Sequence, residues 1–519
     1  VKKLIFAFLL CCFKIFGEFS WTLPSLVISG YDVLNADVKM NDYGNVLCLY
    51  IADVSGAADY QLRRVISSDY GASWSSVVTI STAPINSNAN FSFDINNVGD
   101  AAVIFNIQFS NPLYSSYSSD YGDNWSSIVG PIHPFAKHLS LAINDNKIGL
   151  FAFTTSAVSV DVYSTPDGGS TWGLEFTAAP VNTYYLPAVA INNNDDAVMI
   201  CSDYPALDEP VCRVFGHWSA GTFGFINPPS PIFPSSASNR IVDVKMNDAG
   251  FVLYARGSTP AGSYALYSLD SGANFSSVIL DPAIGNDYEC CIDDNGYGIV
   301  VWNLSDGTND RIVERHTIDY GSNWSSLVYL SQAGQNANDC KVACDTFGNT
   351  FVTWQRSTGV YVPVQIRWSF DKATTWSDVL DISPAGQNSD TRGITMDKTG
   401  HVVIVFRSTL PGPQTYAYAS NGTWIPFSIS GIYLGIKNEV SKRNVNFFLT
   451  KELVHTISWE KVPFAVRYNI YKYANLQKRI ATTTSLEYEM RNSKIGDQYY
   501  LTWEDNFGVQ RDSTKIIVE

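Results

Sequence analysis

The sequence predicts an all-β protein: a β-propeller of about eight four-stranded blades, with seven the alternative if one repeat is irregular, followed by a small β-sandwich. Three observations predict it. A turn motif, Ser/Thr-x-Asp-x-Gly-x-x-Trp/Phe, returns about every 50 residues. Between its copies, an apolar run, a polar turn and a second apolar run recur eight times. Across the 519 residues, 13% are aromatic and only 16% are charged, which suits a turn-rich β protein and excludes disorder and coiled coil. The net charge of −15 argues against nucleic acid as a partner, since phosphate binding needs a basic surface.

The elements follow in chain order. Lys2 and Lys3 precede an apolar run from Leu4 to Phe13, the pattern of a secretory signal peptide over residues 1–17. That run is too short to span a bilayer, and no later stretch is long and apolar enough. Residues 18–435 hold the repeats. The first paired run reads VKMNDYGNVLCLY (Val38–Tyr50) and the eighth ITMDKTGHVVIVF (Ile394–Phe406). Asn/Asp-x-x-Gly between β-branched runs marks a hairpin, because Gly and Asn tolerate the positive φ of a tight turn.

The turn motif occurs as SSDYGASW (Ser67–Trp74), SSDYGDNW (Ser118–Trp125), TPDGGSTW (Thr165–Trp172), SLDSGANF (Ser268–Phe275) and TIDYGSNW (Thr317–Trp324). A weakened copy, SFDKATTW (Ser369–Trp376), has Ala373 in place of Gly. HWSAGTF (His217–Phe223) keeps a turn without the aspartate, and ASNGTW (Ala419–Trp424) reads as a last degenerate copy. Each unit therefore supplies an inner hairpin, a third strand entering the motif and a fourth leaving it. Asp69, Asp120, Asp167, Asp270, Asp319 and Asp371 are expected to be structural, each accepting hydrogen bonds from its own turn. One carboxylate per turn is too few for calcium.

This motif resembles the Asp box, or BNR repeat, of sialidase-like propellers, and the resemblance covers residues from about 19 to 430. It implies that the motif forms the turn between third and fourth strands, on the face away from the ligand. Segments resembling an outer strand lie at both ends, Ser20–Gly30 and Thr423–Gly431, so one of them is expected to close the ring.

On the opposite rim, Arg256, Arg356 and Arg407 end second strands in similar contexts, and Arg240 and Arg392 fall in inter-blade loops. Guanidinium groups there would hold a carboxylate or sulfate bidentately, as the resemblance to sialidases and their arginine triad implies. The same arginines also suit a structural repeat position. No Phe/Tyr-Arg-Ile-Pro element is present, and only Glu175, Glu209, Glu289 and Glu314 lie between residues 19 and 430. Of these Glu289 is best placed, but nothing marks a nucleophilic partner. No catalytic residue is assigned.

Seven of the nine cysteines follow the leader. Cys201 and Cys212 flank a short turn and are candidates for a disulfide across a hairpin. Cys290, Cys291, Cys340 and Cys344 occupy equivalent parts of neighbouring repeats without zinc spacing, and the six histidines form no metal motif, so neither metal nor cofactor is expected. From residue 436 to 519 the balance turns basic, with 13 Lys+Arg against 10 Asp+Glu. Alternating apolar residues, Trp459 and the Tyr468–Tyr471 pattern resemble a fibronectin type III domain. The expected protein is secreted or otherwise extracytoplasmic, a binding or adhesion module for a glycan or an extracellular or envelope protein. A sialidase-like hydrolase and an envelope scaffold are the alternatives.

Overall fold

A computed structural model describes residues 19–21, 25–28 and, with interruptions in connecting loops, 32–424, together with strands between 454 and 517. The expected signal peptide, Arg240, Glu209 and Trp459 lie outside the described residues. The chain divides into two compact units, one of them Trp21–Gly422 and the other containing Thr423–Glu519.

The larger unit is a β-propeller of eight antiparallel sheets. Their inner strands, in blades 1 to 8, are Asp32–Met40, Phe91–Ile95, Lys137–Ile143, Thr183–Ile191, Lys245–Met246, Asn286–Ile292, Ala337–Cys344 and Asn388–Met396. Each blade runs outward through consecutive antiparallel strands, as in Asp32–Met40, Val46–Asp53, Tyr60–Ser67 and Val78–Thr79 of blade 1. Second strands are covered on both faces by neighbouring blades, so they read as unbroken apolar runs; every residue of Val46–Asp53 is buried.

The eighth blade is built from both ends of the unit. Asn388–Met396, His401–Thr409 and Thr415–Trp424 are joined by Ser25–Ile28, with Ser25 opposite Ala419 and Leu26 opposite Tyr418. The N-terminal outer segment is thus the one that closes the ring. ASNGTW is not a turn: it lies within the strand Thr415–Trp424, whose Ala417–Ala419 pair with Ser25–Ile28. Blades 8 and 1 are tied further by a bond from the Met40 N–H to Thr395 Oγ1 (3.0 Å) and by Tyr70 stacked on His401 (3.8 Å between centroids).

All six aspartate motifs form turns between third and fourth strands. Asp69 Oδ1 accepts from Ser67 Oγ (2.7 Å) and the Ser73 N–H (2.8 Å), and its Oδ2 accepts from Ser73 Oγ (2.6 Å). Asp120, Asp167, Asp270, Asp319 and Asp371 repeat this pattern. Burial pushes the first five of these carboxyls up, most strongly at Asp69, Asp120, Asp167 and Asp270 and less at Asp319, but the bonds together outweigh it and hold all five below the usual range. The motif glycine does two jobs. Gly122 has φ +85°, and a Cβ there would come within 2.9 Å of Leu47 in the preceding blade. Trp125 then packs into the apolar seam between blades 1 and 2. Ala373 takes up the same left-handed conformation, at φ +62°. Blade 4, which lacks the motif, turns through Ala220 and Gly221, both at positive φ, in a two-residue hairpin.

The inner-hairpin turns surround the channel on the same face as the motifs. In blades 1 to 5 they open with Asn41, Asn96, Asn144, Asn192 and Asn247. The Asn41 Oδ1 accepts the N–H groups of Tyr43 and Asn45, at 3.1 and 3.0 Å. Each Nδ2 donates to the carbonyl one blade onward: Asn41 to Asn96 (3.4 Å), Asn96 to Asn144 (2.9 Å), Asn144 to Asn192 (2.8 Å), Asn192 to Asn247 (3.3 Å) and Asn247 to Asp293 (2.8 Å). Blades 6 to 8 carry Asp293, Asp345 and Asp397 instead. An ionised carboxylate accepts from its own turn but cannot donate around the ring.

Burial raises the Asp345 carboxyl to about 7, with hydrogen bonds from Asn349 and Phe347 opposing. Because this pKa is raised above the unfolded value, ionising Asp345 costs stability progressively from about pH 4 up to its folded pKa. Asp345→Asn is therefore expected to raise the melting temperature at pH 8, and to give a gain that shrinks toward pH 4. Melts of both proteins across that range check it, and a difference independent of pH would contradict it.

In the second unit, Val454–Ser458 pairs with Glu487–Arg491. A separate sheet orders Arg479–Thr483, Arg467–Lys472, Gln498–Glu504 and Gln510–Arg511, with Lys515–Ile517 also on Gln498–Glu504.

Candidate functional site

The opposite face of the propeller is where inner strands begin, and there the strands are irregular. Register shifts interrupt the inner strands of blades 1, 3, 4, 6, 7 and 8 near this end. In four of them a residue other than glycine sits at positive φ: His138 (52°), Leu186 (51°), Asp287 (52°) and Asp339 (52°). A bulge inserts one unpaired residue and re-aims its side chain. Asp287 and Asp339, on adjacent blades 6 and 7, line a cavity of about 320 Å³ at the channel mouth, together with Asn35, Glu289, Lys341, Gln355, Asp390 and Arg392. A larger space of about 680 Å³ continues down the channel past Asp37, Lys39, Asp94, His138, Asp243 and Lys245.

Both cations of this mouth are paired within the protein. Lys341 is in an ion pair with Glu289 of the neighbouring blade. Burial works against its ammonium, but Glu289 outweighs that and the Lys341 pKa is raised. Lys245 meets Asp243 at 2.6 Å. Asp390 accepts from Arg392 and from Arg407, each at 2.6 Å, and Arg407 also donates to the Val33 carbonyl (3.0 Å). Burial raises the Asp37 and Asp94 carboxyls, with Lys39 opposing. Asp339 is raised by burial and then by the charge of Asp287, while Gln355 Nε2 donates to its Oδ2 at 2.5 Å.

The arginines singled out in the sequence do not form one cluster. Arg407 and Arg392 meet at Asp390 on blade 8. Arg356, on blade 7, donates to Gln335. Arg256, on blade 5, is 1% exposed and donates to the Gly257 carbonyl at 3.0 Å. Of the described glutamates, only Glu289 reaches the channel. Glu175 accepts from Ser164 and, at 2.7 Å, from Thr222; Glu314 is fully buried, at 3.2 Å from His316.

Cys201 and Cys212 lie directly opposite each other on neighbouring strands of blade 4, though the Cys212 side chain lies outside the described residues. A disulfide joins Cys291 to Cys344, with Cα atoms 6.0 Å apart, linking the inner strands of blades 6 and 7. Cys290 and Cys340 are buried thiols. Among the described residues no group of His, Cys, Asp and Glu is arranged to hold a metal ion, and no helix is long and apolar enough to cross a membrane.

No protein-family model matches this chain, and no curated protein matches it. Solved structures do. An ulvan lyase of polysaccharide lyase family 25 is 9% identical, with 77% of this chain and 95% of that chain covered and a TM-score of 0.44. A protein of unknown function from Dyadobacter fermentans is 11% identical, covering 78% and 98%, with a TM-score of 0.40. The NanB sialidase of Streptococcus pneumoniae is 12% identical, covering 78% and 71%, with a TM-score of 0.37.

Asp287, Asp339, Lys341 and Asp390 carry this site, and the arginine reading passed over them. A signal for the first three was present: Asn286-Asp287-Tyr288-Glu289 and Asn338-Asp339-Cys340-Lys341 repeat an Asn-Asp-x-charged pattern at the start of two successive inner strands. In chemical terms the mouth offers carboxylate acceptors beside amide, ammonium and guanidinium donors, held on strands and not on long loops.

Proposed function

We propose that the propeller is an extracytoplasmic binding module that takes a glycan at the channel mouth opposite the aspartate-motif turns. The observation that carries this reading is the cavity at that mouth, where four neighbouring blades present hydrogen-bonding side chains in fixed, strand-borne positions. The Cys291–Cys344 disulfide supports an oxidising compartment. The fibronectin-like second unit would space or present the propeller.

The alternative, a sialidase-like hydrolase, needs free guanidinium groups for a carboxylate. Arg392 and Arg407 instead share Asp390, and Arg256 is buried. The purified chain is expected to bind immobilised glycans and to show no turnover of fluorogenic sialosides. Turnover that Arg356→Ala abolishes would overturn the binding reading in favour of the enzyme. A blank glycan array with recovery of an envelope protein would favour a scaffold.

A further inference from the structure

We infer that the ligand of this mouth is an uncharged glycan segment, and that sulfated, sialylated or uronic acid-bearing forms are disfavoured. The inference rests on the glycan-binding reading above and specifies its substrate class. Its first support is that both cationic side chains lining the mouth are already committed, Lys341 to Glu289 and Arg392 to Asp390. An anionic ligand that drew Lys341 away would leave Glu289 uncompensated in a buried place, and one approaching Arg392 would also face the Asp390 carboxylate. Asp390 is held twice over, since Arg407 reaches it as well.

The second support is what remains. Asp287 and Asp339 take part in no salt bridge among the described residues, and they are close enough for Asp287 to raise the Asp339 carboxyl. An incoming anion would meet two more negative charges, and like charges brought together cost affinity. A sugar hydroxyl has the opposite relation to this surface. It donates to a carboxylate, forming the stronger, charge-assisted kind of hydrogen bond, and it still accepts from a neighbouring donor.

Donors stand beside acceptors here. Gln355 bonds Asp339 Oδ2, and Asn35 lines the same space. That mixture suits a polyhydroxyl ligand, whose groups both donate and accept, better than the ammonium or guanidinium groups of a basic peptide, which only donate. The bulges fit the same account: by placing Asp287 and Asp339 at positive φ they turn two carboxylates toward one space from adjacent blades.

The test uses the full chain on one array carrying matched neutral and sulfated forms of the same oligosaccharides, with calorimetry on any pair that responds. The neutral member is expected to bind, and its sulfated counterpart to bind about tenfold or more weakly. Asp287→Asn with Asp339→Asn should weaken the neutral ligand and narrow the gap between the two forms. Asp339→Lys should narrow it further by admitting the sulfated form, an outcome that mere loss of structure would not give. Equal or tighter binding of the sulfated member to the unaltered protein overturns this inference and leaves the glycan-binding reading standing. An array blank for both members, or capture of lysine-rich peptides alone, removes the glycan-binding reading and this inference with it.

Discussion

Trp354→Ala is expected to destabilise the propeller by about 3–5 kcal/mol, the range for removing a large aromatic ring from a packed core. Trp354 is fully buried in the seam between blades 6 and 7, among Tyr297, Ile299 and Val301 of one blade and Cys340, Val342 and Val352 of the other. The loss is polar as well as apolar. The indole Nε1–H donates to Gln365 Oε1 at 3.1 Å, and Gln365 is 1% exposed, so truncation leaves a buried acceptor without its partner. Denaturant unfolding of the two proteins measures the difference. Leu269→Ala is the control: its side chain is exposed on the motif face, and a change within about 0.5 kcal/mol is expected. Equal costs for the two substitutions would contradict the assignment of the seam as the main apolar contact between blades.

Removing the inter-blade disulfide with the pair Cys291→Ser and Cys344→Ser is expected to cost about 4 kcal/mol. The bond closes a loop of 53 residues, about one whole repeat, and so restricts the unfolded chain over that length. Thermal melts should place the double variant well below the oxidised protein and close to the protein treated with reductant. A double variant that melts with the oxidised protein would show that the cross-link contributes nothing. Here blades 6 and 7 are joined covalently as well as by packing, on the same two inner strands that bring Asp287 and Asp339 to the mouth. Loss of the bond is therefore also expected to weaken whatever binds there.

Much of this architecture was legible in the sequence because a repeat states the same physical requirement several times. One Asp-x-Gly turn is weak evidence; five, and a sixth with Ala373 in place of Gly, at about 50 residues or twice that, each followed by an aromatic residue, leave little else for the chain to do. The aromatic residue packs on the preceding blade, which explains why Trp125, Trp324 and Trp376 persist while the residues between them vary. The arginines show the limit of the same reasoning. Arg256, Arg356 and Arg407 share a sequence context, but that context does not say that Asp390 holds both Arg392 and Arg407. The bulges are hidden for a different reason: at His138, Leu186, Asp287 and Asp339 a left-handed conformation is imposed on residues without the glycine that normally marks it. The Cys291–Cys344 pairing is not legible in the sequence, because pairing within a blade can be read from hairpins, whereas the alignment of one inner strand against the next depends on packing.

The mixed origin of blade 8 has a consequence for how the chain reaches this state. Ser25–Ile28 leaves the ribosome early, but the strand it pairs with, Thr415–Trp424, is made only after the rest of the ring. Until then blade 8 lacks its outer strand, and the face of blade 1 that packs on Val403 and Val405 is open to solvent. An exposed strand edge and an uncovered apolar face are both invitations to wrong partners. The entropy of closing so long a loop rises only logarithmically with its length, so the final step is slow to become available without being steeply uphill. Synthesis order thus makes the first strand of the propeller the last to be secured, and exposes the nascent chain to mispairing for nearly its whole period of assembly.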